Sequence, residues 1–329
     1  MTEEFQSKIK KLERDNRILQ KKLARSEENR ASMEDSRDRY DSLYQSVIQE
    51  LDDQKDLLSE KNRMLENLSG KLSKYLSPQV YASIFVGTQT VEIASKRKKL
   101  TILFSDIAGF TETTDNLEAE ELSTVLNRYL TEMSKIALEY GATIDKYIGD
   151  AMVLFYGDPE TKGTKEDAKA CVKMAIAMQR RMQELEQRWR DRGLERPFQI
   201  RIGINTGFCT VGNFGSEDRM DYTIIGTGVN LAARLEASAE PGGILIAHET
   251  YSLAKDIVMA EEQPPLMVKG FDKPVHCYKV VGIYDDLIEK GAVIRKEQDG
   301  VRILVDMTKR DKSGAIRVLE EVLSQIKDR

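Results

Sequence analysis

Along the first 76 residues, apolar side chains recur at heptad spacing with no proline to interrupt them. One register sets Ile9, Leu23, Tyr44, Leu51, Leu58, Leu65 and Leu72 at the first apolar position of the heptad, with Asn16, Arg30 and Arg37 among them. The second apolar position carries Phe5, Leu12, Leu19, Met33, Tyr40, Val47, Leu68 and Tyr75, with Ser26, Gln54 and Lys61 between. A seam kept in one register this long predicts a parallel coiled coil over residues 1–76, about 110 Å long at about 1.5 Å per residue. Asn16 inside the seam favours two strands in fixed register, whereas Arg30, Arg37, Gln54 and Lys61 soften it. Ser77-Pro78 stops the helix, because the residue before proline avoids helical geometry and proline lacks an N–H. A short helix with Val80, Ile84 and Phe85 on one face follows. With a linker it fills residues 77–97, where it is placed to transmit register or twist.

Beyond this joint the apolar period changes repeatedly. The pattern predicts a strand (100–105), a helix (117–139), a hairpin (142–155), a helix (165–191), and strands at 198–205 and 208–213. A helix (228–237) and strands near 243–246 and 275–282 complete it. Strand, helix, hairpin, helix and strand make a βαββαβ core of α+β class, an antiparallel sheet with helices on one face. Residues 284–329 read as a hairpin and helix extension. Val293-Ile294-Arg295 and Val301-Arg302-Ile303-Leu304-Val305 flank the turn signal Asp299-Gly300. Ile316, Leu319, Val322, Leu323 and Ile326 then recur at amphipathic helical spacing.

Composition narrows the function classes. Charged residues make up 32% of the chain, and most of the excess sits in its first 75 positions, so the remainder has ordinary globular composition. A net charge of -5 without a basic stripe excludes nucleic acid as an expected partner. Three scattered cysteines (Cys171, Cys209, Cys277) suit a reduced, cytoplasmic protein. No apolar run long enough for a membrane span occurs, which predicts a soluble chain.

The candidate chemistry lies between Leu100 and Gly157. In Thr101-Ile102-Leu103-Phe104-Ser105-Asp106-Ile107-Ala108-Gly109-Phe110-Thr111, a β-rich run stops at an aspartate and a glycine-containing loop leads towards a helix. In Ile144-Asp145-Lys146-Tyr147-Ile148-Gly149-Asp150-Ala151-Met152-Val153-Leu154-Phe155, two apolar runs flank a Gly-Asp turn. If these strands pair, Asp106 and Asp150 meet at one end of a sheet. Two hard oxygen ligands beside free backbone N–H groups suit a divalent cation bound to polyphosphate. The loop from Ala108 through Gly109, Phe110 and Thr111 offers those N–H groups at a helix entrance. The Phe110 ring is expected to pack, since it offers phosphate nothing.

These motifs resemble the class III nucleotidyl cyclases, which make cyclic AMP or cyclic GMP. So do Arg201-Ile202-Gly203-Ile204-Asn205-Thr206-Gly207 and the run from Tyr222-Thr223-Ile224-Ile225-Gly226 through Asn230-Leu231-Ala232-Ala233-Arg234. The resemblance covers residues 98–283, a whole catalytic domain of ferredoxin-like fold. It implies that Asp106, Asp150 and the Ile107 carbonyl bind two Mg²⁺ or Mn²⁺ ions. Lys146 and Thr223 would read the base of the nucleotide. A lysine donates to adenine N1 and a threonine hydroxyl accepts from N6, so the pair favours ATP over GTP. Asn230 would orient the ribose and Arg234 would stabilise charge on the transferring phosphorus. Lys269 would meet the terminal phosphates, with Lys273 as competitor. The family builds its site across a two-fold dimer, which implies a homodimer joined through coiled coil and catalytic domains. An upstream sensor domain or protein would supply the input. A guanylate cyclase, or an inactive dimerisation and signalling module, are the competing readings.

Overall fold

The computed structural model describes residues 2–87, 92–114, 118–191, 197–298, 301–307 and 312–327. The chain divides into two compact units, Met1–Tyr75 and Leu76–Arg329. The first is the helix α1 (Thr2–Leu72). Leu23, Leu51, Leu58, Leu65 and the other seam residues are exposed along it. A lone helix has nothing to bury such a stripe against. α1 stops short of Ser77-Pro78. After Gly70 the chain tightens, with Lys74 and Tyr75 donating to the carbonyls of Lys71 and Leu72, three residues back.

The second unit opens with α2 (Pro78–Phe85), capped by the Ser77 hydroxyl, which accepts from the Val80 N–H. Val80 is buried, and Gln79 donates to the carbonyl of Ala142 at 2.9 Å. There follow β1 (Ser95–Ile107), the short α3 (Phe110–Thr114), α4 (Ala119–Glu139), β2 (Thr143–Ile148), β3 (Ala151–Tyr156), α5 (Thr164–Arg190) and β4 (Ile200–Ser216). Their strand order is β2-β3-β1-β4, antiparallel throughout. This is the ferredoxin-like βαββαβ core. β5 (Arg219–Ile225) folds back on β4, then α6 (Thr227–Ser238) leads to β6 (Ile244–Ala247), which adds to β4 in parallel. α7 (His248–Ala254), β7 (Val258–Glu262) and β8 (Cys277–Ile283) extend the same sheet to eight strands.

Alternation along β1 gives the sheet two buried faces. Leu103 and Ile107 pack with Tyr129 and Met133 of α4 and with Met174 and Met178 of α5. Leu100 and Ile102 face the other way, towards Val211, Ile224 and Ala232 of α6. The core therefore carries α4 and α5 on one face as expected, and α6 covers the opposite one. Its seat is Gly203. A Cβ there would lie 2.1 Å from the Glu236 N and 2.3 Å from the Ala232 O, so helix backbone rests directly on the strand.

Several boundaries differ from the sequence pattern for identifiable reasons. The expected strands 198–205 and 208–213 are one strand of 17 residues, β4. Gly207 does not break it, because its neighbours pair with β1 on both sides. β1 starts at Ser95, within the expected linker. The charged run Lys96 to Lys99 is held in strand by partners: Lys96 and Lys98 meet the buried Asp158, and Lys99 reaches Glu249 at 2.6 Å. β5, α7 and β7 had no periodicity long enough to announce them. At the C-terminus come α8 (Tyr284–Glu289), β9 (Val293–Gln298), β10 (Val301–Asp306) and α9 (Lys312–Lys327). β9 and β10 pair as the expected hairpin, and its turn Asp299-Gly300 lies outside the described residues. Arg295 donates to the Asp256 carbonyl at 3.0 Å and stacks over Tyr284, which ties the hairpin to the sheet. Among the described residues no helix is long and apolar enough to cross a membrane.

Candidate active site

Asp106 occupies the end of β1 and Asp150 the tight turn between β2 and β3, where Gly149 takes a φ of 65° that favours glycine. Because β3 pairs with β1 (Ser105 opposite Met152), the turn is brought beside Asp106. Asp150 accepts from the Ile107 N–H at 3.1 Å. Burial first, then the neighbouring Asp106, hold Asp150 up at about 6 against an ordinary 3.8. The two carboxylates expected to converge do converge.

Two further groups join them. Arg201, opposite Asp106 on β4, donates to its carboxylate at 2.9 Å. The same guanidinium nitrogen lies 3.2 Å from Glu236 of α6, within ion-pair range though not aligned as a hydrogen bond. Burial and then the Asp106 charge raise Glu236 to about 7. Arg201 stands within one of the sequence motifs but carries no role there, and nothing in the sequence pattern points to Glu236. The only signal for Arg201 was a cation at the start of an apolar strand.

Asp106 and Glu236 face the one Arg201 guanidinium and Asp150 adjoins Asp106, so the cluster gathers more carboxyl groups than cations, an imbalance that a divalent cation would relieve. The donors are hard oxygens, as such a cation prefers. Among the described residues no group of three or more acidic, histidine or cysteine side chains is arranged to hold a metal. The fit is therefore to a pair of aspartates completed by backbone and by a ligand's own oxygens.

The loop after Asp106 differs in part from expectation. The Ala108 N–H is used inside the fold, donating to the Gln199 carbonyl at 2.8 Å, so it is not free for phosphate. Gly109 has a φ of 65°, and the helix it enters is the five-residue α3 rather than the long α4. The Phe110 ring packs 5.8 Å from that of Phe198. Thr111 is exposed on α3.

A second cluster forms between β2 and β5. The ladder between β2 and β3 shifts register between Ile144 and Lys146, which makes Asp145 a bulge residue. Its side chain is only 2% exposed, and it accepts from the Thr223 hydroxyl at 2.9 Å. The Lys146 ammonium lies 3.9 Å from the other carboxylate oxygen. Lys146 and Thr223, distant in sequence, thus share one carboxylate. Burial, opposed by Lys146 and Thr223, raises Asp145 to about 6. Asp145 is the third residue, after Arg201 and Glu236, to which the sequence pattern gives no role.

Asn230 and Arg234 are exposed on α6, one turn apart. The Gly228 carbonyl in its first turn accepts from Asn205 at 2.9 Å, which fixes the helix start. Among the described residues neither side chain meets a partner. Glu240, the obvious competitor for Arg234, pairs with Lys279 at 2.6 Å instead. Lys269 lies exposed in the turn before Gly270, with Lys273 exposed beyond it. No partner shared among the described residues connects the Asp106–Asp150 cluster with the Lys146–Thr223 cluster.

A doubly covered antiparallel sheet with paired aspartates at the end of its central strand defines an α+β domain suited to an oxygen-ligated cation. The family described as the adenylate and guanylate cyclase catalytic domain matches residues 93–282, and the chain belongs to it. An adenylate cyclase of Anabaena cylindrica is 31% identical over 240 residues, which are 68% of this chain and 46% of that protein. The chain thus spans less than half the length of this curated relative. The crystal structure of the adenylyl cyclase CyaB from P. aeruginosa is 59% identical and covers 57% of this chain and 96% of its own, with a TM-score of 0.57. That of the guanylyl cyclase Cya2 is 36% identical and covers 58% and 95%, with a TM-score of 0.55.

Proposed function

We propose that this protein is an adenylate cyclase, converting ATP to 3′,5′-cyclic AMP and pyrophosphate. One observation carries the choice of nucleotide: Lys146 and Thr223 meet at a single buried carboxylate, where a lysine donor and a threonine acceptor match the edge of adenine. The ribose 3′-oxygen attacks the α-phosphorus, the bond to pyrophosphate breaks, and the hydroxyl proton leaves to solvent. Asp106, Asp150 and the Ile107 carbonyl would hold divalent cations, Mg²⁺ or Mn²⁺ and two per site, which when bound lower the hydroxyl pKa and neutralise the triphosphate. Asn230 orients the ribose. Arg234 faces the transferring phosphorus with planar, paired donors that a lysine lacks. Gly109, Phe110 and Thr111 shape the loop that approaches the phosphates, and Lys269 meets their far end.

The exposure of Asn230 and Arg234, which meet no side-chain partner among the described residues, supports a site completed by a second copy. One chain supplies the aspartates and its partner supplies Lys146, Thr223, Asn230 and Arg234. The uncovered seam of α1 supports a parallel two-stranded coiled coil that aligns the two copies and carries input from a sensor domain or protein.

The similarity to the guanylyl cyclase Cya2 favours GTP as the second reading, and Lys146 opposes it. A product assay with ATP and with GTP, each with Mg²⁺ and with Mn²⁺, decides between them. Cyclic AMP as the main product is expected. Cyclic GMP as the main product would overturn the assignment of the base, and no cyclic product would leave the inactive signalling module.

A further inference from the structure

Lys146 and Thr223 do not by themselves explain a preference for adenine. A lysine ammonium can only donate, but a threonine hydroxyl both donates and accepts. With its proton free to rotate, Thr223 would accept from the N6 amino group of adenine or donate to the O6 of guanine with equal ease. Something must fix the proton.

We infer that Asp145 is a specificity-determining positioning residue: it takes the Thr223 proton and so leaves that hydroxyl able only to accept from a bound base. This rests on the cyclase reading above and adds to it the origin of its nucleotide choice. The geometry is that of a built device. The bulge at Asp145 turns its side chain off the alternation of β2 and towards β5. There its Oδ2 sits 2.9 Å from the Thr223 hydroxyl. Thr223 is itself buried and pinned by the β5 ladder opposite Gly212, so it has little freedom to escape the contact. The Asp145 Oδ1 meets no hydrogen-bond partner among the described residues, and the Lys146 ammonium lies 3.9 Å from it, while the Ile224 backbone N–H and the Asp221 charge also act on the carboxyl group. A buried carboxylate with one oxygen unsatisfied is costly to the fold. A hydroxyl in need of a fixed direction gives it a purpose.

The charge state agrees. Although burial raises Asp145 to about 6, it is ionised at neutral pH and then has no proton to give back to Thr223. The Lys146 ammonium, 3.9 Å from the same carboxylate, can only donate. Lys146 is a donor whatever its neighbour, and Asp145 makes Thr223 an acceptor, which completes the pattern. GTP would place its O6 lone pairs against those of Thr223, with no proton between them.

The test compares kcat/KM for ATP and GTP in full-length protein. Asp145→Ala should lower the ATP:GTP ratio by about tenfold or more, chiefly through a gain in turnover of GTP, which a merely loosened structure would not produce. Asp145→Asn, whose amide can present either a donor or an acceptor, should shift the ratio in the same direction by less. It keeps the shape of the site should the alanine variant fold poorly. In a Thr223→Val background, which has no proton to direct, adding Asp145→Ala should change the ratio less than about twofold. An unchanged ratio in both single variants overturns the inference while leaving the cyclase reading intact. So does an effect of Asp145→Ala that persists undiminished without the Thr223 hydroxyl. Absence of any cyclic product from the unaltered protein overturns the cyclase reading itself, and this inference with it.

Discussion

At the scale of single residues, the paired aspartates, as proposed metal ligands, would carry charge towards a ligand and little towards the core. Asp106→Asn and Asp150→Asn should each lower cyclic AMP formation by at least about a thousandfold, since several kcal/mol of charge stabilisation depend on them. Each variant should keep the far-ultraviolet circular dichroism of the parent. Substantial turnover by either would remove the metal-ligand assignment. Asp145 makes the opposite trade. Its carboxyl binds a proton more tightly folded, at about 6, than at its ordinary 3.8, so folding is favoured by this group below about pH 3.8. That contribution is lost as pH rises through 6, at a cost of up to about 3 kcal/mol at neutral pH. Asp145→Asn should therefore be the more stable protein at pH 8, and its advantage should vanish near pH 4. Thermal unfolding at the two pH values checks this, and equal midpoints at pH 8 would contradict it.

At the scale of elements, Gly203 sets how closely α6 approaches β4. Gly203→Ala should force α6 outward, because the atoms in the way are helix backbone and cannot rotate aside. Activity is expected to fall more than stability, since α6 carries Asn230 and Arg234. A variant with unchanged kcat and a lowered melting temperature would argue that the seat matters for packing alone. The legibility of these elements from sequence was uneven, for physical reasons. Long helices with an apolar stripe, such as α4 and α5, appeared within a residue or two of their ends. So did the Gly-Asp turn between β2 and β3, where local chemistry and tertiary structure agree. β1 was read too short because its first residues are lysines and an arginine, and only the distant Asp158 and Glu249 explain a strand there. The site followed the same rule. Asp106, Asp150, Lys146 and Thr223 stand in recognisable runs, but Arg201, Glu236 and Asp145 gain meaning from neighbours across the sheet. No window of sequence contains those. Within α1, an insertion of four residues between Leu58 and Leu65 should change cyclase activity without unfolding the second unit, because a stutter locally unwinds a coiled coil. Equal activity with and without the insertion would make α1 a tether.

At the scale of the whole molecule, the proposed shared site predicts complementation. Asp106→Asn and Arg234→Ala should each be nearly inactive alone, and mixing them with subunit exchange should restore activity to about a quarter of the parent rate. Half of randomly formed dimers are mixed, and one of the two sites in each escapes both lesions. Exchange is verified with two affinity tags, and mixed dimers that stay inactive would refute a site built across the interface. The continuous β4 bears on how such an enzyme could be controlled. It faces Asp106 through Arg201 at one end and Thr223 through Gly212 at the other, paired with β1 along the whole length of that strand. An unbroken ladder makes a poor hinge. The two clusters proposed to hold metal and to read the base are thus parts of a single rigid lever, unable to slide against each other without rupturing the sheet. The degree of freedom left for a regulator is the angle at which one lever meets its twin, and switching then becomes a matter of alignment between bodies rather than deformation within one.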